Sequence, residues 1–364
     1  MLKPTYVIPI LPPMVELETV RIYKALARAS RALADLKGQA KTIPNQGILI
    51  DTLALQEAKA SSEVENIVTT QDELFQADLF PDAPQSLAAK EVALYRDAIR
   101  LGLNRLTETG GLIPNSVLID MFRMLKGRDD GFRVVPGTAL KNEATGETVF
   151  VPPQAPTEIV RHMAALERFI NDDEASELDP LIKMALIHHQ FESIHPFPDG
   201  NGRIGRMLNV LYLTRTGLLD IPILYLSRHI TRHKGDYYRL LQAVRDEDAW
   251  EDWVVFMLEA VAETSVTTVR LVEGIREQMA SMKRRMRDKL PRLYSQDLLN
   301  NLFRHPYTRI EYLQKDLGIT RQTAAKYLDT LADQGFVEKQ QAGRNNYYIN
   351  SNLVRLFLDL SGSR

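Results

Sequence analysis

Apolar residues recur at intervals of three and four from Leu17 through Val20, Tyr23, Leu26, Ala29 and Leu33, and Gly38 follows where a C-cap would stand. That is the period of a helix with one buried face. The same period runs through residues 88–107, 115–125, 157–170, 179–191 and 202–216, and through a long stretch from about 249 to 288. The first four-fifths of the chain is therefore expected to be mainly α. One region departs from it: residues 131–153, GFRVVPGTALKNEATGETVFVPP, place β-branched residues on both sides of Thr145 and Gly146 and end on prolines, the pattern of a β-hairpin or flap. Residues 282–291, MKRRMRDKLP, read as a basic connector closed by a proline. Beyond it come helical patterns near 295–303 and 308–316, a turn at Gly318, a third helix over 320–333, and a strand pair in FVEKQQAGRNNYYIN. This is the order of a winged helix-turn-helix.

At 364 residues the chain has room for two or three domains. Its composition, 45% hydrophobic and 25% charged, excludes a disordered, collagen-like or coiled-coil chain. With no cysteine there are no disulfides or thiolate metal sites, which agrees with a reducing compartment. The N-terminus lacks the apolar core and cleavage site of a signal peptide, and no apolar run approaches the roughly 20 residues that span a bilayer. A cytoplasmic protein without membrane insertion is expected. The net charge of −2 hides an uneven distribution: residues 281–364 hold 15 Lys and Arg against 8 Asp and Glu. In the third helix of this basic end, Ala324, Leu328 and Leu331 form the inward stripe and leave Arg321, Gln322, Thr323 and Lys326 facing out, with Lys339 and Arg344 flanking the wing. Such side chains suit phosphates and base edges, and winged helices equally serve as protein docking or dimerisation modules. DNA binding and protein docking both remain open on this pattern.

The densest chemistry lies in residues 195–206, HPFPDGNGRIGR, between two helical segments. His195 precedes a proline, which pushes its backbone out of the α region and lets the ring project from a loop. An imidazole is the side chain best matched to taking a proton from a hydroxyl near neutral pH. Gly200 and Gly202 allow close approach of the main chain at the start of the next helix, whose unpaired N–H groups and dipole favour an anion. Arg203 and Arg206, three apart, supply fork-shaped donors for phosphate oxygens, and Asn201 offers an amide donor. Asp199 beside an anion site makes electrostatic sense with a cation such as Mg²⁺ between it and the phosphates. A base, a metal ligand and an anion hole within one loop point to phosphoryl or nucleotidyl transfer. His188 and His189, adjacent on a helix, point different ways and read as packing residues rather than zinc ligands.

These residues resemble the Fic-family motif HxFx(D/E)GNGRxxR at every specified position: His195, Phe197, Asp199, Gly200, Asn201, Gly202, Arg203 and Arg206. The resemblance implies a Fic-fold helical bundle with its flap over roughly residues 1–280. With the C-terminal module it divides the chain into an N-terminal region with an inhibitory helix (1–100), a catalytic domain (101–285) and a winged helix domain (286–364). It further implies transfer of AMP from Mg-ATP to a hydroxyl of a target protein or of the chain itself. His195 would be the base, and Asp199 the Mg²⁺ ligand. Gly200, Asn201, Gly202, Arg203, Ile204, Gly205 and Arg206 would form the nucleotide-binding stretch, and Phe197 a buried anchor. Glycine at 202, where a kinase-like branch has lysine, favours AMP transfer. Transfer of phosphocholine or another nucleotide, and a regulator that only senses the nucleotide, are the alternatives.

A second stretch, SSEVEN at 61–66, fits the family's inhibitory pattern [S/T]xxxE[G/N] with Ser61, Glu65 and Asn66. By itself it reads as a solvated helix face. Next to an intact catalytic motif it implies that Glu65 pairs with Arg206 and holds the guanidinium meant for the ATP γ-phosphate. The resemblance also implies that the hairpin aligns the target segment by strand addition, that Tyr237 and Tyr238 stack near the adenine, and that the protein forms a homodimer. Core packing is the competing role for the tyrosine pair.

Overall fold

A computed structural model describes residues 6–70, 73–74, 79, 86–141, 145–342 and 345–362. Arg344, expected to flank a wing, and residues 142–144, within the expected hairpin, lie outside that set. The chain is mainly helical, with two small antiparallel sheets.

Helix α1 (Val20–Ala40) is capped by the Thr19 hydroxyl and runs through Gly38, where a stop was expected. Buried Leu36 and Ala40 extend the apolar stripe past the glycine, and a side chain at 38 would meet nothing, so one exposed glycine does not end the helix. Then follow α2 (Gly47–Val64), α3 (Leu87–Glu108) and α4 (Asn115–Lys126), the last ending on Gly127 in the left-handed region. The flap is smaller than its β-branched run suggested. Strands β1 (Leu140–Lys141) and β2 (Thr148–Phe150) pair antiparallel through Leu140 with Phe150 and Lys141 with Thr148, while Val134 and Val135 stay exposed. Pro136 and Gly137 interrupt the first arm, and the Gln154 side chain ties it down instead, accepting from Gly137 N–H at 2.7 Å and donating to the Thr138 carbonyl at 3.0 Å.

The centre is built from α5 (Pro156–Asn171), α6 (Pro180–Ile194) and α7 (Asn201–Arg215). Every residue of α6 from Leu181 to Ile194 is buried, so this helix is wrapped on all sides and shows no one-sided stripe. Helices α8 (Ser227–Arg232) and α9 (Lys234–Glu247) lead into α10 (Trp250–Lys289), a 40-residue helix lying along α1. It continues through most of the segment expected as a connector. Met279, Met282 and Met286 are buried on it, so the basic stretch is one face of a packed helix, and the expected boundary at 285 falls inside it.

The C-terminal module comprises α11 (Gln296–Arg304), β3 (Tyr307–Thr308), α12 (Ile310–Leu317), α13 (Arg321–Asp333), β4 (Glu338–Ala342), β5 (Asn345–Ile349) and α14 (Ser351–Gly362), with sheet order β3-β5-β4. The helices and the strand pair follow the expected order, and β3 and α14 are additions. Ala324, Leu328 and Leu331 are buried on α13 as expected; Arg321 pairs with Glu311 at 2.8 Å and Lys339 with Asp329 at 2.7 Å. The module seats on the rest of the chain through α14 on α10 and α11 on α2, where Arg304 bonds Asp51 at 2.6 Å while Arg100 bonds its other oxygen.

Candidate functional site

The loop between α6 and α7 carries the motif and is held by its own side chains. His195 caps α6 in the left-handed region, φ 50°, with its N–H on the Phe191 carbonyl at 2.9 Å. That conformation costs a non-glycine residue about 1–2 kcal/mol, so neighbours must impose it. Arg133 supplies much of this. Its Nε donates to the His195 carbonyl at 2.8 Å, its Nη2 to the Pro153 carbonyl, and its backbone N–H to the Pro196 carbonyl at 2.8 Å. Phe197 is fully buried, stacked on Phe122 with ring centres 4.4 Å apart. Asn201 closes the loop from the other end: its amide accepts from Phe197 N–H and donates to the Phe197 carbonyl, both at 2.8 Å. The side chain expected to reach a phosphate is therefore spent on the loop.

The anion end is the first turn of α7. Helix geometry leaves the N–H groups of 201, 202 and 203 without intrahelical partners. Gly200 stands at φ 74°, where a side chain would be strained. Ile204 does not belong to this surface, because its N–H already bonds the Gly200 carbonyl at 3.1 Å and its side chain is core. Gly205 faces the opposite way. A Cβ there would stand 2.6 Å from Glu192 and 3.1 Å from Phe191, so this glycine lets α6 and α7 approach closely.

Arg206 is buried and engaged on two sides by the α2 terminus. Nε donates to the Ser61 hydroxyl at 2.8 Å, and Nη2 donates to the Ser61 carbonyl and to Glu65 Oε1, both at 2.9 Å. Burial alone would lower its pKa, but the Glu65 carboxylate, Tyr237, Tyr95 and Glu192 together raise it. Glu65 is the C-cap of α2, and Asn66 follows in the left-handed region with its side-chain oxygen on Lys234 Nζ at 2.9 Å. A Cβ on Gly202 would stand 2.6 Å from Glu65 Oε1 and 2.9 Å from Arg206 Nη1, so the missing side chain at 202 makes room for this ion pair. Arg203 reaches Glu91 on α3 at 2.9 Å and has Glu65 at 4.0 Å from its Nε. Asp199 is largely exposed and bonds Lys126 at 2.5 Å. Burial would raise its pKa, yet Lys126, Arg203 and the Gly200 N–H hold it below the usual carboxylate range. An ionised, solvent-facing carboxylate beside an anion site is the donor that Mg²⁺ prefers, so Asp199 fits the metal role.

The tyrosine pair divides. Tyr237 is buried, its hydroxyl 2.9 Å from His188 Nε2 and its ring 5.7 Å from that of Trp253, so it packs the core and offers no stacking face. Tyr238 is half exposed beside it. His188 and His189 are core residues, and burial pushes the His188 imidazole down to about 3. His195 is held down to about 4 by burial and by the Arg133 and Arg245 cations, so its ring is neutral at physiological pH.

Three family models match successive parts of the chain: the Fic/DOC family N-terminal region over residues 23–104, the Fic/DOC family over 117–213, and the C-terminal domain of SoFic-like protein adenylyltransferases over 278–353. The chain belongs to the Fic family. Among curated relatives, the protein adenylyltransferase Fic of Drosophila melanogaster is 30% identical over 112 residues, 31% of this chain and 21% of that protein. Protein adenylyltransferase fic-1 of Caenorhabditis briggsae is 35% identical over 65 residues, 18% of this chain and 13% of that protein. The Fic chain thus matches about a fifth or less of the length of these relatives. A Fic family protein from Desulfovibrio desulfuricans G20 superposes with a TM-score of 0.59 at 20% identity, covering 93% of this chain and 98% of that one. Fic-1 of C. elegans gives 0.54 at 19%, covering 71% and 74%. At such identities the likeness is one of fold.

Several residues of this Fic site escape a reading of the motif. Lys126 and Glu91 partner Asp199 and Arg203, Arg133 clamps the His195 loop, and Glu192 is buried with Oε1 lacking a hydrogen-bond partner and its carboxyl raised to about 7 by burial. Arg245 donates to the Ser193 hydroxyl at 3.1 Å and lies 4.0 Å over the Phe150 ring, joining the hairpin to the end of α6. Lys126, Glu91, Arg133 and Arg245 lie tens of residues from the groups they hold, so no local spacing announces them, whereas Glu192 stands three positions before His195. For Lys126 the one signal was its position in the last turn before a glycine cap.

Proposed function

We propose that this Fic protein is an adenylyltransferase that moves AMP from Mg-ATP to a hydroxyl of a target protein, and that Glu65 restrains it. The observation carrying the reading is the Arg206 guanidinium, held by Ser61 and Glu65 at the end of an otherwise ready anion site. Neutral His195 takes the proton from the target hydroxyl. The freed oxygen attacks the α-phosphorus, its bond to the β-phosphate oxygen breaks, and pyrophosphate leaves. The first-turn N–H groups of α7, at 201–203, steady the phosphate oxygens. Asp199 would hold a Mg²⁺ ion bound with the nucleotide, which would supply positive charge against the phosphates. With Glu65 in place, the γ-phosphate finds Arg206 taken and the nucleotide is turned from its reactive pose.

Incubation of purified protein with α-labelled ATP tests this. Glu65→Gly is expected to self-label strongly, wild type weakly, and Glu65→Gly with His195→Ala not at all. Equal labelling of wild type and Glu65→Gly would remove the restraint, and labelling that survives loss of His195 would remove the base.

A further inference from the structure

On the far side of α2's support lies a cluster that the transfer chemistry does not use. His229 on α8, His233 at its C-cap and Glu263 on α10 each present one ligand atom, and these atoms lie within 4.8 Å of one another. His229 Nδ1 is 2.9 Å from Glu263 Oε2, and the two imidazole rings are 4.5 Å apart at 34°. Among the described residues this is the one group of three or more His, Cys, Asp or Glu side chains so placed.

Local structure aims these donors. His233 N–H bonds the His229 carbonyl at 3.0 Å, so the pair stands one helical turn apart on one face. The His229 ring is buried, with Phe256 edge-on at 5.1 Å. Phe256 and Glu263 are two turns apart on the same face of α10, so one face of that helix both fixes the first imidazole and delivers the carboxylate. His233 faces solvent. The surrounding pocket adds Asp236 and Glu259, already paired with Arg239 and Arg28.

We propose that His229, His233 and Glu263 form a binding site for a divalent transition-metal cation of the zinc class, with solvent completing the shell. Two imidazoles and one carboxylate with an open position are a donor set for zinc or its neighbours, and the nitrogen donors set it apart from the oxygen-loving Mg²⁺ of the nucleotide. The cation would clip α8 to α10 where α8 supports the inhibitory segment: Thr231 bonds the Ala60 carbonyl at 3.1 Å, and the adjoining Lys234 bonds Asn66.

The test titrates untagged full-length protein, free of nucleotide and in excess Mg²⁺, with Zn²⁺ by calorimetry and with Co²⁺ by visible absorption. Expected are one ion per chain, micromolar or tighter binding of Zn²⁺, and loss of affinity of at least about tenfold in His233→Ala and in Glu263→Gln, both exposed positions that spare the core. Asp199→Ala should bind as wild type does. Absence of binding overturns the proposal. So does binding unchanged in both site variants, or binding abolished by Asp199→Ala, since the ion then sits elsewhere.

Discussion

Two acidic residues flank the start of α7, and they are held in opposite ways. Glu65 meets a guanidinium that is almost wholly buried and also bonded twice to Ser61, whereas Asp199 meets Lys126 with 59% of its own side chain exposed. In the first pair, removing one partner strands a desolvated charge. In the second, water reaches the exposed carboxylate, and the more buried Lys126 keeps Glu91 at 3.8 Å as a second partner. Asp199 can therefore leave its lysine at little cost, while Arg206 is released only if the end of α2 moves. On the proposed reading, control of this site would rest on a helix rather than on the metal ligand.

The sharpest way to break that contrast is to remove the cation from each pair. Arg206→Ala is expected to lower unfolding free energy by about 3 kcal/mol in urea denaturation, because Glu65 loses a buried partner. Lys126→Ala should cost less than about 1 kcal/mol in the same experiment, and equal losses would erase the distinction. Next in size is Gly202→Ala, whose methyl meets Glu65 and Arg206. It is expected to destabilise the wild type by about 1–3 kcal/mol and the Glu65→Gly background much less, a coupling that a double-mutant cycle reads directly. A smaller effect concerns the exposed pair alone. In the Glu65→Gly background, Lys126→Ala should shift half-maximal labelling to a few-fold lower Mg²⁺, as the metal no longer competes with an ammonium.

The last test uses the histidine between the two pairs. Because His195 is held near 4, its base form persists well below the ordinary imidazole range, so kcat/KM of Glu65→Gly should keep its value down to about pH 5 and fall toward 4. Arg245→Gln removes one of the cations that depress it and should move that limb upward; an unchanged limb in the variant would take Arg245 out of the account. The corresponding stability follows the same sign: the unfolded ring binds a proton near 6.5 and the folded one near 4, so this group weakens the fold as pH drops between those values.

Much of the architecture was legible because helical periodicity is a local property. Residues 115–125, 157–170 and 320–333 each appear within a residue or so of their helices, and the C-terminal module's helices and strand pair follow their sequence order. Gly38 and the segment 282–291 misled for one reason: a lone glycine and a run of charge are local signals, and the stripe of Leu36 and Ala40, or of Met279, Met282 and Met286, outweighed them through contacts with distant helices.

The order of residues by itself determined which groups could do the chemistry, since His195, Asp199, Arg203 and Arg206 stand within twelve positions and any helix start would cluster them. It also placed Ser61 and Glu65 one helical turn apart. Only tertiary packing decided what those groups do to one another. It spent the Asn201 amide on the Phe197 backbone, sent Tyr237 into the core, set Lys126 on Asp199, and brought Glu65 across 141 positions to Arg206. Such pairings depend on which surfaces bury one another, and burial is a property of the assembled molecule that short-range spacing does not encode.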